Sequence, residues 1–186
     1  PGPGGHPLAS DLIPPIPSLF ESSKGAIGHI TLGLEKDGKV RRERPFYEWK
    51  GRFIPSYALR LAALDKNIPT SAITVEPGRS IRLGGHVLPL TQDSELLFAF
   101  KGPRGSFKKY SFFDVANDKI PPSVFKNKLV ILGASALGVI NPFSTPLDPA
   151  MPLVELTANA VWAIQNGKFV EHPAWDRWAE LGAILL

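Results

Sequence analysis

Glu155 and Asn159 stand four residues apart in a stretch rich in Val, Leu and Ala. In a helix that spacing puts both on one face. A carboxylate and a carboxamide on an apolar helix could hydrogen-bond a ligand in a cleft, or the loop around Thr145. They could also serve the fold. Glu155 would then support the helix N-terminus electrostatically, and Asn159 would tie down a nearby backbone. Buried polar groups generally find partners, which favours the structural role. A second group is cationic: Arg41, Arg42 and Arg44, with Lys36, Lys39, Lys50 and Arg52 nearby. It could form an anion site or meet acidic lipid headgroups. As a solvated strand face, it would keep an exposed edge from pairing. Charge runs are usually solvated, so the second role is favoured.

Other chemistry finds less support. Gly133, Ala134, Ser135, Ala136, Leu137 and Gly138 follow an apolar run. A phosphate loop would continue with Lys, but Val139 follows Gly138. A nucleophile elbow would need glycine where Leu137 stands. The segment reads instead as a tight passage of small residues over a sheet. His6, His29, His86 and His172 show no ligand spacing. The chain has no cysteine, which excludes disulfides, a thiolate zinc site and a cysteine nucleophile. No catalytic residue, metal site or cofactor is assigned.

The elements that must carry these groups fit one domain. At 186 residues and 44% hydrophobic content, the chain can bury an ordinary core. Net charge is a mild +4. Nucleic-acid binding would want aromatics clustered for stacking. Phe46, Tyr47 and Trp49 sit close together, but in a strand pattern that a core explains. No nucleic-acid partner is expected.

Residues 1–24 read as a tail and an extended segment with Pro14, Pro15 and Pro17, packed on the body. From Ile27, alternation predicts a half-buried strand with Ile30, Leu32 and Leu34 on one side. Asp37 and Gly38 predict a hairpin turn, and residues 40–49 the return strand. Residues 56–66 predict a helix capped by Ser56. Short strands follow at 72–75 and 79–83, joined through Gly84 and Gly85 to 87–89, and then a buried strand at 95–101. Ser111 and Asp114 suggest a capping box on a short helix, and Pro121 and Pro122 a further helical turn. Residues 129–132 read as the best core strand, and 154–166 as the best helix, ended by Gly167. That helix is expected to pack on the strand through Ala158, Val161 and Trp162. The fold class expected is α/β, a mixed sheet with hairpins and helices packed on it.

The chain does not begin with Met, so it is expected to be a piece of a longer protein. Trp175 and Trp178 precede an apolar end at 179–186. Those eight residues fall well short of the roughly 20 that a span needs. Residues 173–186 are expected to be the first turns of a membrane helix.

Taken in order, these residues resemble a known family. They are Asp37, Gly38, Val40 and Arg42; the 56–64 helix; Lys101, Gly102 and Pro103; Tyr110, Phe112, Asp114 and Val115; the 129–133 run; Thr145 and Pro146; and Val154, Glu155, Leu156, Ala158 and Asn159. Together they are similar to the CHASE2 family of extracellular sensor domains from about residue 25 to 175, and the sensor domain is expected to span 25–172. The family's helix motif commonly reads Glu-x-His-Ala-Asn, and here Thr157 takes the His position.

The resemblance implies a domain outside the cytoplasmic membrane of a bacterial receptor. It implies a cytoplasmic output module of the nucleotide cyclase, diguanylate cyclase, histidine kinase or Ser/Thr kinase kind. The candidate ligand-binding set is Glu155, Asn159, Thr145, Arg42 and Lys101. The expected partners are a small-molecule or envelope signal, the membrane through the C-terminal helix, and a second copy of the receptor. Two other readings stand beside this one. One is an envelope hydrolase using a cleft carboxylate such as Glu155 or Asp148. The other is a purely structural dimerisation domain.

Overall fold

The computed structural model describes residues 7–23, 26–136 and 138–170. The C-terminal helix expected at 173–186 lies outside the described residues. Among the described residues, no helix is long and apolar enough to cross a membrane.

Three small antiparallel sheets form in place of the expected mixed sheet. β1 (Arg42–Glu43) pairs with β7 (Leu96–Leu97), setting Arg42 opposite Leu97 and Glu43 opposite Leu96. β2 (Phe46–Trp49) pairs with β3 (Arg52–Pro55). β4 (Ile73–Glu76), β5 (Ser80–Leu83) and β6 (His86–Pro89) form a three-stranded meander. Proline explains part of the fragmentation. It has no N–H to give a ladder, and Pro45, Pro55 and Pro89 fall where strands are interrupted or end. Among the described residues, parallel pairing survives only as isolated bridges: Leu8 to Glu48, His29 to Ser56 and Lys39 to Ser144.

Two helices make the centre. α2 (Tyr57–Asp65) is capped as expected, the Ser56 hydroxyl accepting the Leu59 amide at 3.1 Å. α4 (Leu153–Asn166) buries Glu155, Leu156, Asn159, Ala160, Ala163 and Ile164, two adjacent positions on every turn. α4 packs against α2. Phe46, Leu59, Ile81, Leu83, Leu88 and Leu96 complete the core. α4 ends on Gly167, whose left-handed φ of 62° suits glycine. The short helices α1 (Pro17–Ser22) and α3 (Phe112–Ala116) bury no residue. Ser111 takes the N-cap geometry of α3, but its hydroxyl makes no capping bond.

The 129–132 run is the main departure. It forms no ladder, and Val130 and Leu132 are 57% and 72% exposed. Leu129 and Ile131 still pack on the core. The alternation is therefore that of a strand, but no neighbouring chain among the described residues pairs with its backbone. α4 meets this run at Gly133, where an added Cβ would lie 2.8 Å from Val154 Cβ. Among the helices and strands, its main packing partner is α2. Val161 is buried as expected, while Ala158 and Trp162 are only half-buried. The segment from Ile27 departs in the same way: Leu32 packs on the core, and Ile30 and Leu34 are exposed.

Candidate functional site

Four of the five expected ligand-binding residues meet on the first turns of α4. Glu155 and Asn159 do share one face, and both are buried. The Glu155 carboxylate accepts the Gly105 amide at 2.6 Å and the Lys109 ammonium at 2.9 Å. The Asn159 side-chain oxygen accepts the Lys101 amide at 2.8 Å, and its nitrogen donates to the Glu155 carbonyl at 3.0 Å. Asp148 extends the network by accepting the Arg104 amide at 3.0 Å and the Ala150 amide at 2.8 Å. Those two main-chain bonds hold its carboxyl below the usual carboxylate range. Thr145 closes the arrangement, its hydroxyl donating to the Asp148 carbonyl and accepting the Asp148 amide.

These contacts fasten the loop 101–109 to α4 and the turn 143–151 to that loop, and the Asn159 side-chain nitrogen also donates to Met151 Sδ at 3.6 Å. Glycine makes the loop feasible. A Cβ on Gly102 would collide with the Ser106 hydroxyl, and Gly105 has a φ of 90°. The structural role read for Asn159 is the one observed. Lys101 contributes its amide to the network, while its ammonium lies over the Phe107 ring at 4.6 Å. Both carboxylates considered for hydrolysis, Glu155 and Asp148, are engaged by main-chain N–H groups.

The fifth residue, Arg42, stands apart, in a ladder of alternating charge. Arg41 donates to Asp37 at 2.6 Å and to Glu35 at 3.2 Å. Arg42 donates from Nε to Glu35 at 3.2 Å and from Nη1 to Glu95 at 3.3 Å. Arg44 donates from Nε to Glu95 at 2.9 Å and from Nη1 to the Tyr47 hydroxyl at 3.1 Å. The Asp37–Gly38 turn positions the first rungs, with φ of 75° at Gly38 and the Glu35 amide bonded to the Lys39 carbonyl. The ladder lines an open cleft of about 660 Å³, with Gly33, Leu34 and Lys36 on its other walls.

Behind β1 lies a smaller feature that the sequence reading did not single out. Glu43 is 7% exposed, and burial pushes its carboxyl up to about 7, against the lowering effect of the Ser56 hydroxyl. It lines a cavity of about 20 Å³ with His29, Thr31, Tyr57, Leu156 and Thr157. That volume is on the scale of a single water. Both ring nitrogens of His29 are sealed from solvent, and among the described residues neither has a hydrogen-bond partner. The ring packs edge-on to Tyr47, and burial lowers its pKa to about 4, against the raising effect of the nearby Arg44 main chain. The available signal was alternation: if Arg42 and Arg44 share the cleft side of an extended chain, Glu43 takes the opposite side.

Among the described residues, no group of three or more His, Asp or Glu could hold a metal ion. No curated protein matches the chain, and no solved structure does. A family model, the CHASE2 domain, matches residues 7–186, nearly the whole sequence. The chain therefore belongs to the CHASE2 family of extracellular sensory domains.

Proposed function

We propose that this domain is the extracytoplasmic input module of a transmembrane receptor. It regulates a cytoplasmic output module, either a nucleotide cyclase, a diguanylate cyclase, a histidine kinase or a Ser/Thr kinase. The observation that carries the reading is the family match over residues 7–186. The strand arrangement supports it. β7 pairs with β1 on one side, and on the other accepts the segment that follows α4. A change at β1 therefore has a short route to the chain beyond Val170. The receptor works as a homodimer with its C-terminal helix in the membrane, and the signal acts by favouring one of two arrangements of that connection.

Alkaline phosphatase and fluorescent-protein fusions at Gly167 of the intact protein test the topology. The expected result is an active phosphatase and a dark fluorescent fusion. A fluorescent, phosphatase-inactive pair would place the domain in the cytoplasm and end the proposal.

A further inference from the structure

The ladder on β1 leaves part of its hydrogen-bonding capacity unspent. Arg42 uses Nε and Nη1, and Arg44 uses Nε and Nη1. Among the described residues nothing accepts from the Nη2 of either, although each Nη2 carries two N–H donors. Their carboxylate partners hold both guanidinium planes in place while the side chains stay 34% and 37% exposed. The cleft residues Lys36, Arg41, Arg42 and Arg44 outnumber the carboxylates Glu35, Asp37 and Glu95 by one, so its field favours an anion.

The cleft's shape agrees with its charge. Its volume of about 660 Å³ lies within the range of small-molecule sites. Leu34, 61% exposed, gives it an apolar patch. Gly33 keeps a side chain off the guanidinium: even a Cβ there would stand 3.5 Å from Arg44 Nε.

We infer that this cleft binds a small organic or inorganic oxyanion, a carboxylate or a phosphate, on the unclaimed Nη2 edges of Arg42 and Arg44, with Lys36 in support. Each free Nη2 can donate a charge-assisted hydrogen bond to one oxygen of such a group, one from each arginine. The site deepens the sensory reading and rests on it for its biological meaning. Its connection to output is short, because Arg42 is in register with Leu97, whose carbonyl accepts the Val170 amide.

The test uses the 186-residue chain and isothermal titration calorimetry at constant ionic strength, with inorganic phosphate, succinate and citrate as probes. Sedimentation with phosphatidylglycerol vesicles forms a parallel arm. At least one free anion is expected to bind, at least tenfold more weakly to Arg42→Gln and Arg44→Gln, and several-fold more weakly to Arg42→Lys. Lysine keeps the charge but cannot bond Glu35 and Glu95 and still present a fixed third donor. Arg79→Gln, at a site 83% exposed and outside the cleft, is expected to bind as the parent does. Circular dichroism checks folding, and if a glutamine variant unfolds, Arg42→Lys decides. Vesicle binding that requires Arg42, without free-anion binding, would support the site and assign its oxyanion to a lipid headgroup. No binding in either arm, or binding undiminished in the Arg42 and Arg44 variants, would overturn the inference. Binding that leaves receptor output unchanged would uphold the site and count against the sensory reading alone.

Discussion

The Val170 amide donates to the Leu97 carbonyl at 2.8 Å. With the Ala99 amide donating to the Lys168 carbonyl at 3.0 Å, this lays the segment after α4 along β7. The opposite edge of β7 pairs with β1, which carries Arg42. The cleft and the outgoing chain thus share one strand between them. A signal at the cleft needs no long chain of side-chain contacts to reach the outgoing segment.

Insertion of two to four Gly/Ser residues after Lys168 is expected to move Val170 out of register with Leu97. In the intact receptor, output measured in membranes should lose its dependence on the inducing condition. Regulation that survives every insertion length would show that coupling bypasses this contact.

The α4 network should matter for stability. Glu155→Ala removes the acceptor for the Gly105 amide and the Lys109 ammonium, and should cost about 2–3 kcal/mol. Asn159→Ala leaves the Lys101 amide without its acceptor, and should cost about 1–3 kcal/mol. Urea denaturation reads both. Midpoints equal to wild type would mean that the loop 101–109 holds its place without α4.

Gly133 sets how closely the unpaired run approaches α4. Gly133→Ala would bring a methyl within 2.8 Å of Val154 Cβ, and should cost about 1–3 kcal/mol. Combining it with Val154→Ala should recover much of that loss. A double mutant no more stable than the sum of its parts would place the strain elsewhere.

Local signals read well from the sequence where one short-range interaction decides the structure. Ser56 as a cap, Asp37 and Gly38 as a turn, Gly84 and Gly85 as a connection, and Gly167 as a helix end are all of this kind. Long-range pairing was not legible. Residues 129–132 alternate as a strand should, yet a ladder needs a partner that alternation cannot supply. In the candidate site, Glu155 and Asn159 were found because both lie on one helix. Glu95 was missed as the carboxylate joining Arg42 and Arg44, because it comes from the turn just before β7, some fifty positions along the chain. His29 and Glu43 were missed as a pair because neither has a motif, and only the fold encloses them in one cavity.

That pair gives a pH prediction with opposing slopes. Glu43 keeps its proton up to about pH 7 when folded, against an ordinary 4.5. Between those values the folded state holds a proton that the unfolded chain has lost. Its contribution is therefore fully present below 4.5 and falls away as pH rises to 7, by about 3 kcal/mol in all. His29 behaves in the opposite sense. Its pKa is about 4 when folded against an ordinary 6.5, so its contribution is present above 6.5 and is lost as pH falls to 4, again by about 3 kcal/mol. From 4.5 to 6.5 the two slopes cancel, and wild-type stability from these groups should be nearly level. Glu43→Gln should unmask His29, giving a urea midpoint that climbs from pH 4.5 to 6.5. His29→Phe should unmask Glu43 and give a midpoint that declines over the same interval. Midpoint profiles of both variants running parallel to wild type would show that neither group changes its protonation on folding.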